Sequence, residues 1–321
     1  MEIVVVGCRG FGRVHLRSIR GVDIGIVERD PKIRKEIEDK FNVAHSYETY
    51  EQALESGADI IDLAVPHNLH RDMAIAAMKR GKHVTLEKPI STSLEESREM
   101  IDFSRKAGVK FMVLEQYYFD PSVQEAKRVI ESGKIGKVHT IIVRDQRMYE
   151  KEGWRAVKNT MGGGALIDGG IHYVDTMLNL GGPYHTVTAR SVHGGSSLQG
   201  EDNTVAMFTF RNGATGILYY SWAYRNPPLI PGLEIIGSDG SIYEDPATRS
   251  HEDFKVPSRT TAFGDLVMNG KRMGIPKYDV FQREFDSFIE AVKKDTDVPF
   301  SPELANRDLS AVLDIYRQTV P

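Results

Sequence analysis

The chain has 321 residues, 40% of them hydrophobic and 27% charged, a globular composition long enough for two domains of the usual ~100–200 residues. Its 41 basic and 45 acidic side chains leave a net charge of −4, which gives no electrostatic reason to expect nucleic acid or an anionic membrane as partner. One cysteine, Cys8, excludes an internal disulfide framework and any multi-cysteine metal site. The start of the chain lacks a basic stretch ahead of a long apolar run, and no segment approaches the ~20 apolar residues of a membrane helix. A cytoplasmic location is expected.

Ile3 to Val6 is a bare apolar run, the pattern of a parallel strand buried on both faces. A glycine-rich turn follows, then a helical stretch from Phe11 to Arg20. Asp23 to Glu28 reads as a second strand, and Pro31 opens a helix to about Phe41 at a favoured first-turn position. A short strand near Val43 and a helix from Thr49 to Ser56 come next. Ile60 to Val65 is a strand stopped by Pro66, and Leu69 to Arg80 is a helix closed by Gly81. His83 to Leu86 is a strand, Ser93 to Ala107 a helix closed by Gly108, and Lys110 to Leu114 a further strand. Strands alternating with helices imply a parallel sheet with right-handed crossovers.

The rhythm changes after about Gln116. Ser122 to Ser132 reads as helix, and Val138 to Asp145 alternates like a strand. Gly162-Gly163-Gly164 precedes a helix from about Ala165 to Leu180. Strands are then expected at Val187 to Val192, Thr204 to Phe210, Thr215 to Trp222, Leu233 to Ile236 and Ser241 to Tyr243. Asn212-Gly213 between two of them is a strong hairpin signal. Helices from Val280 to Lys293 and Pro302 to Thr319 end the chain. The expected fold is α/β: an N-terminal Rossmann dinucleotide-binding domain, residues 1–117, then an α+β domain, residues 118–321, with a large, mostly antiparallel sheet.

Four places carry chemistry. The turn Gly7-Cys8-Arg9-Gly10-Phe11-Gly12 follows a strand and opens a helix, the context of the dinucleotide fingerprint. Gly7 suits the tight turn and Gly12 the close helix–strand packing, while backbone N–H groups and the helix dipole would receive a pyrophosphate. Arg9 stands where the second glycine belongs. Gly10, one residue later, could restore the close approach, and Arg9 could instead lie over the phosphates or the adenine. The plainer alternative is an ordinary strand–helix turn.

Glu28 ends the second strand, where a carboxylate accepts hydrogen bonds from the adenosine ribose and repels a 2′-phosphate. NAD is therefore favoured. Arg29 beside it could admit NADP, and a surface charge pair is the bland alternative. Glu87-Lys88-Pro89 directly follows a strand, at the edge where open α/β sheets place ligands. A lysine there can hydrogen-bond a substrate hydroxyl and promote its loss of a proton, although an exposed lysine is usually only a solvated charge. Asp168 and His172 are four apart on one helix and so share a face, bringing a carboxylate and an imidazole into one space. Taken alone, they read better as a helix-start Asp and an interface His. Asp175 lies on a neighbouring face. Tyr149, Trp154 and Arg155 suit a polyol pocket or interface packing. His67, His70 and His83 are not arranged as a recognised metal site, and no metal is expected.

These sites in this order, with Pro66-His67-Asn68-Leu69-His70, Phe119-Asp120-Pro121, Ser132-Gly133-Lys134-Ile135-Gly136-Lys137-Val138, Gly153-Trp154-Arg155 and the stretch from Gly162 to Asp168, resemble the glucose–fructose oxidoreductase / inositol dehydrogenase / rhizopine catabolism (Gfo/Idh/MocA) family over nearly the whole chain. The resemblance implies a dehydrogenase moving a hydride between a sugar, cyclitol or related polyol and NAD(P). It implies Lys88, Asp168 and His172 as the catalytic set, with His172 as acid/base, Lys88 polarising the hydroxyl, and Asp168 orienting substrate and His. It implies dinucleotide contacts from Gly7, Arg9, Gly10, Phe11, Gly12, Glu28, Arg29, Pro66, His67, Asn68, His70, Glu87, Lys88 and Gln116, the last near the nicotinamide. Substrate contacts would come from Lys88, Tyr149, Trp154, Arg155, Asp168 and His172. Relatives commonly pair their sheets into homodimers or homotetramers. Two departures stand out: Arg9 for the usual glycine, and Tyr117-Tyr118 for the arginine pair often found before Phe-Asp-Pro. NAD-dependent glycoside hydrolysis and non-catalytic regulation are the alternatives on the same fold; the presence of Lys88, Asp168 and His172 together argues against the second.

Overall fold

The computed structural model describes residues 1–249 and 263–318. They divide into two units: one contains Met1–Glu115 and Phe281–Asn306, the other the described residues of 116–280 and 307–318. The chain thus leaves the first unit two residues before the expected boundary and returns to it near the end.

The first unit is built on six parallel strands: β1 (Glu2–Val6), β2 (Asp23–Val27), β3 (His45–Tyr47), β4 (Ile60–Leu63), β5 (His83–Glu87) and β6 (Phe111–Leu114). Their order is β3-β2-β1-β4-β5-β6. The crossovers carry α1 (Phe11–Ser18), α2 (Pro31–Lys40), α3 (Tyr50–Leu54), α4 (His70–Lys79) and α5 (Leu94–Ala107). Ile3, Val4 and Val5 are fully buried, as are Ile60, Ile61 and Leu63, which is what the unbroken apolar runs require of strands covered on both faces. The helix ends are chemically marked. Asp30 caps α2 by accepting the Lys32 N–H at 2.9 Å, Thr49 and Gln52 form a capping box on α3, and left-handed Gly108 closes α5.

The second unit begins with α6 (Pro121–Glu131), capped by Asp120, then β7 (Val138–Gln146), α7 (Lys158–Met161) and α8 (Ile171–Gly181). A run of strands follows: β8 (Tyr184–Val192), β9 (Asn203–Phe210), β10 (Thr215–Ser221), β11 (Leu233–Gly237), β12 (Ser241–Glu244), β13 (Leu266–Met268) and β14 (Lys271–Arg272). Two helices end the chain, α9 (Val280–Lys294) and α10 (Pro302–Gln318). The eight strands make one sheet, β14-β13-β12-β11-β7-β10-β9-β8. It is antiparallel except where β10 lies parallel to β7. The hairpin at Asn212-Gly213 forms as expected: Asn212 accepts the Ala214 N–H at 3.0 Å, and Gly213 takes a positive φ. One face of the sheet is packed, with Phe208, Phe210, Ile141, Val143 and Leu218 buried. α8 lies against it so closely that a Cβ on Gly181 would sit 2.2 Å from the Phe210 ring. No helix among the described residues is long and apolar enough to cross a membrane.

Candidate functional site

In the first unit the glycine-rich turn connects β1 to α1. Gly7 adopts φ +92°, and a Cβ there would lie 2.3 Å from the Ala64 carbonyl oxygen; a Cβ on Gly12 would lie 2.0 Å from the Gly7 carbonyl oxygen. Only glycine fits either place. α1 starts at Gly10 without a side-chain cap and without an acidic residue in its first turn, so its N-terminal dipole and N–H groups are matched to an anion rather than to the protein's own carboxylates. A Cβ at Gly10 would meet nothing within 4 Å. This open approach at the helix start fits a dinucleotide pyrophosphate.

Arg9 is exposed and turns to the acidic pair next door, 3.6 Å from Glu28 and 3.3 Å from Asp30. Glu28 is buried and accepts the Asp30 backbone N–H at 3.0 Å, which fixes its carboxylate at the end of β2. Arg29 is exposed. Cys8, inside the turn, is a buried thiol pushed up to about 12 by burial first and Glu28 second, so it is inert packing. His67 and His70 are buried while Asn68 is exposed. The His70 ring sits between the Val65 carbonyl (3.0 Å) and the Pro89 carbonyl (2.9 Å), linking the turn after β4 to the turn after β5. Burial holds His70 below the ordinary histidine value. Glu87 and Lys88 are both buried at the carboxyl end of β5, and the Lys88-Pro89 bond is cis.

In the second unit the expected helix from Ala165 starts differently. Leu166–Gly170 is a π-helical turn, and α8 proper begins at Ile171. Packing explains the wide turn: a Cβ on Gly169 would lie 2.1 Å from the Tyr220 hydroxyl and 2.5 Å from the Trp222 ring, while Gly164 backs directly onto Glu201. Glu201 accepts the Leu166 N–H (2.9 Å) and the Tyr316 hydroxyl (2.8 Å). Such turns concentrate at functional sites, and this one presents Asp168. Both Asp168 and His172 are buried. Arg155, one of the residues assigned to the polyol pocket, lies 3.2 Å from Asp168 and over the Trp154 ring. His172 stacks on Tyr117 with centroids 4.5 Å apart, and its Nε2 lies 3.4 Å from the Gln116 amide nitrogen. An amide N–H can only donate, so this contact is a hydrogen bond when Nε2 carries no proton. Asp175 is taken up elsewhere, 2.7 Å from Arg307.

The residue patterns did not single out Tyr117 as the surface on which His172 rests, nor Lys151 and Trp222. Lys151 hydrogen-bonds the Tyr149 hydroxyl at 2.9 Å and lies over the Tyr149 and Trp222 rings. Burial lowers its pKa, and the nearby Asp168 carboxylate works the other way. The alternation that buries Trp222 at the end of β10 was the one available signal. No group of three or more His, Cys, Asp or Glu among the described residues could hold a metal ion.

Comparison with known proteins identifies both parts of the chain. Residues 1–115 match the model described as an oxidoreductase family with an NAD-binding Rossmann fold, and residues 123–243 match the Gfo/Idh/MocA C-terminal domain. A scyllo-inositol 2-dehydrogenase (NAD(+)) of Bacillus subtilis is 31% identical over 259 residues, 77% of this chain and 71% of that enzyme. A levoglucosan dehydrogenase of Pseudarthrobacter phenanthrenivorans is 28% identical over 246 residues, 68% of this chain; the match spans 63% of that enzyme's length. In fold, an aldose–aldose oxidoreductase of Caulobacter crescentus, solved with glycerol, superposes with a TM-score of 0.85 at 21% identity, covering 99% of this chain and 96% of the other.

Proposed function

The chain belongs to the Gfo/Idh/MocA family of oxidoreductases with an NAD-binding Rossmann fold, and we propose that it oxidises or reduces a secondary alcohol or ketone of a sugar, cyclitol or related polyol in the cytoplasm. The observation that carries the reading is the second unit's cluster: a buried imidazole stacked on Tyr117, and on the same stretch a buried carboxylate held by Arg155. When bound, the nicotinamide supplies the two-electron partner for the transferred hydride. His172 takes the hydroxyl proton at its unprotonated ring nitrogen, or returns it in the opposite direction. Lys88 donates a hydrogen bond to the reacting oxygen and so eases loss of that proton. Asp168 accepts a substrate hydroxyl, its own position fixed by Arg155. Tyr149 and Trp154 supply the apolar faces against which sugar C–H groups pack. A screen for NADH formation over aldoses, inositols and nucleotide sugars tests the reading. Turnover of glycosides without net NADH would replace it with NAD-dependent hydrolysis, and no turnover of any polyol would remove it.

The fixed carboxylate of Glu28 at the end of β2 favours NAD over NADP, because it would face a 2′-phosphate as a like charge. Fluorescence titration should find NADH the tighter ligand. If NADPH bound about tenfold more tightly, a difference of about 1.4 kcal/mol, the assignment would pass from Glu28 to Arg29.

The outer face of the large sheet carries Val205 and Met207 on β9 and Ile217 on β10, exposed by 47%, 49% and 37%. Such a patch on alternate residues of neighbouring strands is the signature of a covered face. The proposal is a homodimer, or a tetramer built from it, with this face as the contact. Light scattering at micromolar concentration should give at least twice the 36.0 kDa chain mass, and Met207→Glu should shift it to monomer. A stable wild-type monomer would refute the contact.

A further inference from the structure

A buried charge cluster lies in the first unit, centred on a histidine that takes no part in the proposed chemistry. His15, in the middle of α1, has no exposure at all. Its Nδ1 is 2.8 Å from Asp62 on β4 and its Nε2 is 2.9 Å from Glu87 on β5. Asp62 also accepts the Thr85 hydroxyl at 2.8 Å. Thr85 pairs with Asp62 in the strand register, and Glu87 lies two residues on, so all three face α1 from one side of the sheet. Phe285 closes the cluster, its ring edge-to-face with the imidazole and the centroids 5.1 Å apart. Glu284, also buried, interacts with Glu87, His15 and Asp62, and with the buried Glu115.

An imidazole with carboxylates at both nitrogens is saturated only as the cation, donating from each. It then ties three elements together at the carboxyl edge of the sheet. One is the helix that the glycine turn opens. Another ends in Glu87, followed directly by Lys88. The pleat that turns Glu87 in to His15 turns the next residue the other way. We infer that His15 is a positioning residue, a buried cation whose bonds to Asp62 and Glu87 lock the glycine-turn helix to the Glu87-Lys88-Pro89 turn. A buried ion group is a poor device for stability, since apolar residues of like volume serve as well or better; it is a good device for fixing one geometry. The inference rests on the dinucleotide reading of the first unit and not on the substrate.

The test uses the full chain and NADH itself. His15→Ala cuts both bonds; His15→Gln keeps a side-chain amide that can donate to the carboxylates. NADH titration should find His15→Ala weaker by roughly tenfold and His15→Gln within threefold of wild type. With any polyol that the screen identifies, kcat of His15→Ala should fall roughly 10²-fold, as misplacement of a reacting group does, with KM moving less than threefold. In the wild-type chain with 15N-labelled histidine, one residue should retain two protected ring N–H signals at pH 8, and His15→Gln should remove them. NADH affinity in His15→Ala within twofold of wild type overturns the inference, as does equal loss in the His15→Ala and His15→Gln variants, or the absence of a doubly protonated histidine. These results stand even if no polyol is turned over, so failure of the substrate reading is seen separately.

Discussion

A His172→Ala enzyme should bind NADH almost normally and turn over roughly 10²–10⁴-fold more slowly, the usual contribution of a positioned acid/base. The expectation follows from where the ring is held. His172 is buried, its face is fixed by Tyr117 and its Nε2 lies 3.4 Å from the Gln116 amide nitrogen, so the ring is held rather than freely rotating. The dinucleotide turn belongs to the other unit, so the substitution leaves it untouched. A histidine acting as base must be neutral, so the wild-type rate should fall on the acid side of the profile. His172→Ala should lose that acid limb along with the rate. Lys88→Ala should be slow as well but keep the limb. A His172→Ala enzyme with near wild-type kcat and the same limb would shift the role to Lys88 or to a relay through Asp168. Tyr117→Leu separates ring placement from ring chemistry: it should lower kcat while preserving the limb, because the imidazole is still there but less well oriented.

Local pattern carried most of the fold. The apolar runs, the capping residues and the closing glycines mark β1 to β6 and their helices to within a few residues, since buried parallel strands and capped helices each have a distinct chemistry. Three features had no local signal. β13 and β14 are three and two residues long, and β14 is the exposed Lys271–Arg272, so neither shows a period. The parallel pairing of β10 with β7 joins segments some seventy residues apart and depends on tertiary packing. The π-helical turn at Leu166–Gly170 follows from the Tyr220 and Trp222 rings pressing on Gly169, partners far away in sequence. At the site, the Gly-rich turn and the Glu-Lys-Pro turn could be located because each directly follows a strand, whereas the single α-helical face expected of Asp168 and His172 gives way to a π-helical turn that carries Asp168 ahead of α8. Tyr117 and Lys151 could not be located, since each is placed by rings distant in sequence, those of His172, Tyr173 and Phe263 for Tyr117 and that of Trp222 for Lys151. His15 left half a signal. Asp62 interrupts Ile60-Ile61-Asp62-Leu63 in a strand buried on both sides, and a charge there demands a partner; only the fold reveals that the partner is on α1.

The same cluster should make the protein lose stability steadily as pH rises from about 6.5 toward 10. Burial pulls the His15 pKa down, but the Asp62 charge and hydrogen bond, with those of Glu87, outweigh it and lift it to about 10. In the unfolded chain the same ring titrates near 6.5. Between these values the folded chain keeps a proton that the unfolded chain has released, so the free energy of unfolding falls with rising pH. The contribution is whole below pH 6.5 and gone above pH 10. At about 1.4 kcal/mol per pH unit it amounts to about 5 kcal/mol, large against the 5–15 kcal/mol typical of a whole domain. Glu284 acts in the same direction: burial, with Glu87 and Glu115 beside it, holds its carboxyl well above the usual range, so it too favours the protonated fold. Replacing His15 and Glu87 together by Gln leaves neutral amides that still bond to one another and to Asp62, and removes the histidine's share of the slope. Chemical denaturation at pH 6.5, 8 and 9.5 should show wild type well above this double variant at the lowest pH, with the gap narrowing by several kcal/mol at the highest. Parallel curves would mean that His15 is neutral in the fold, and that its two short contacts do not make it a cation.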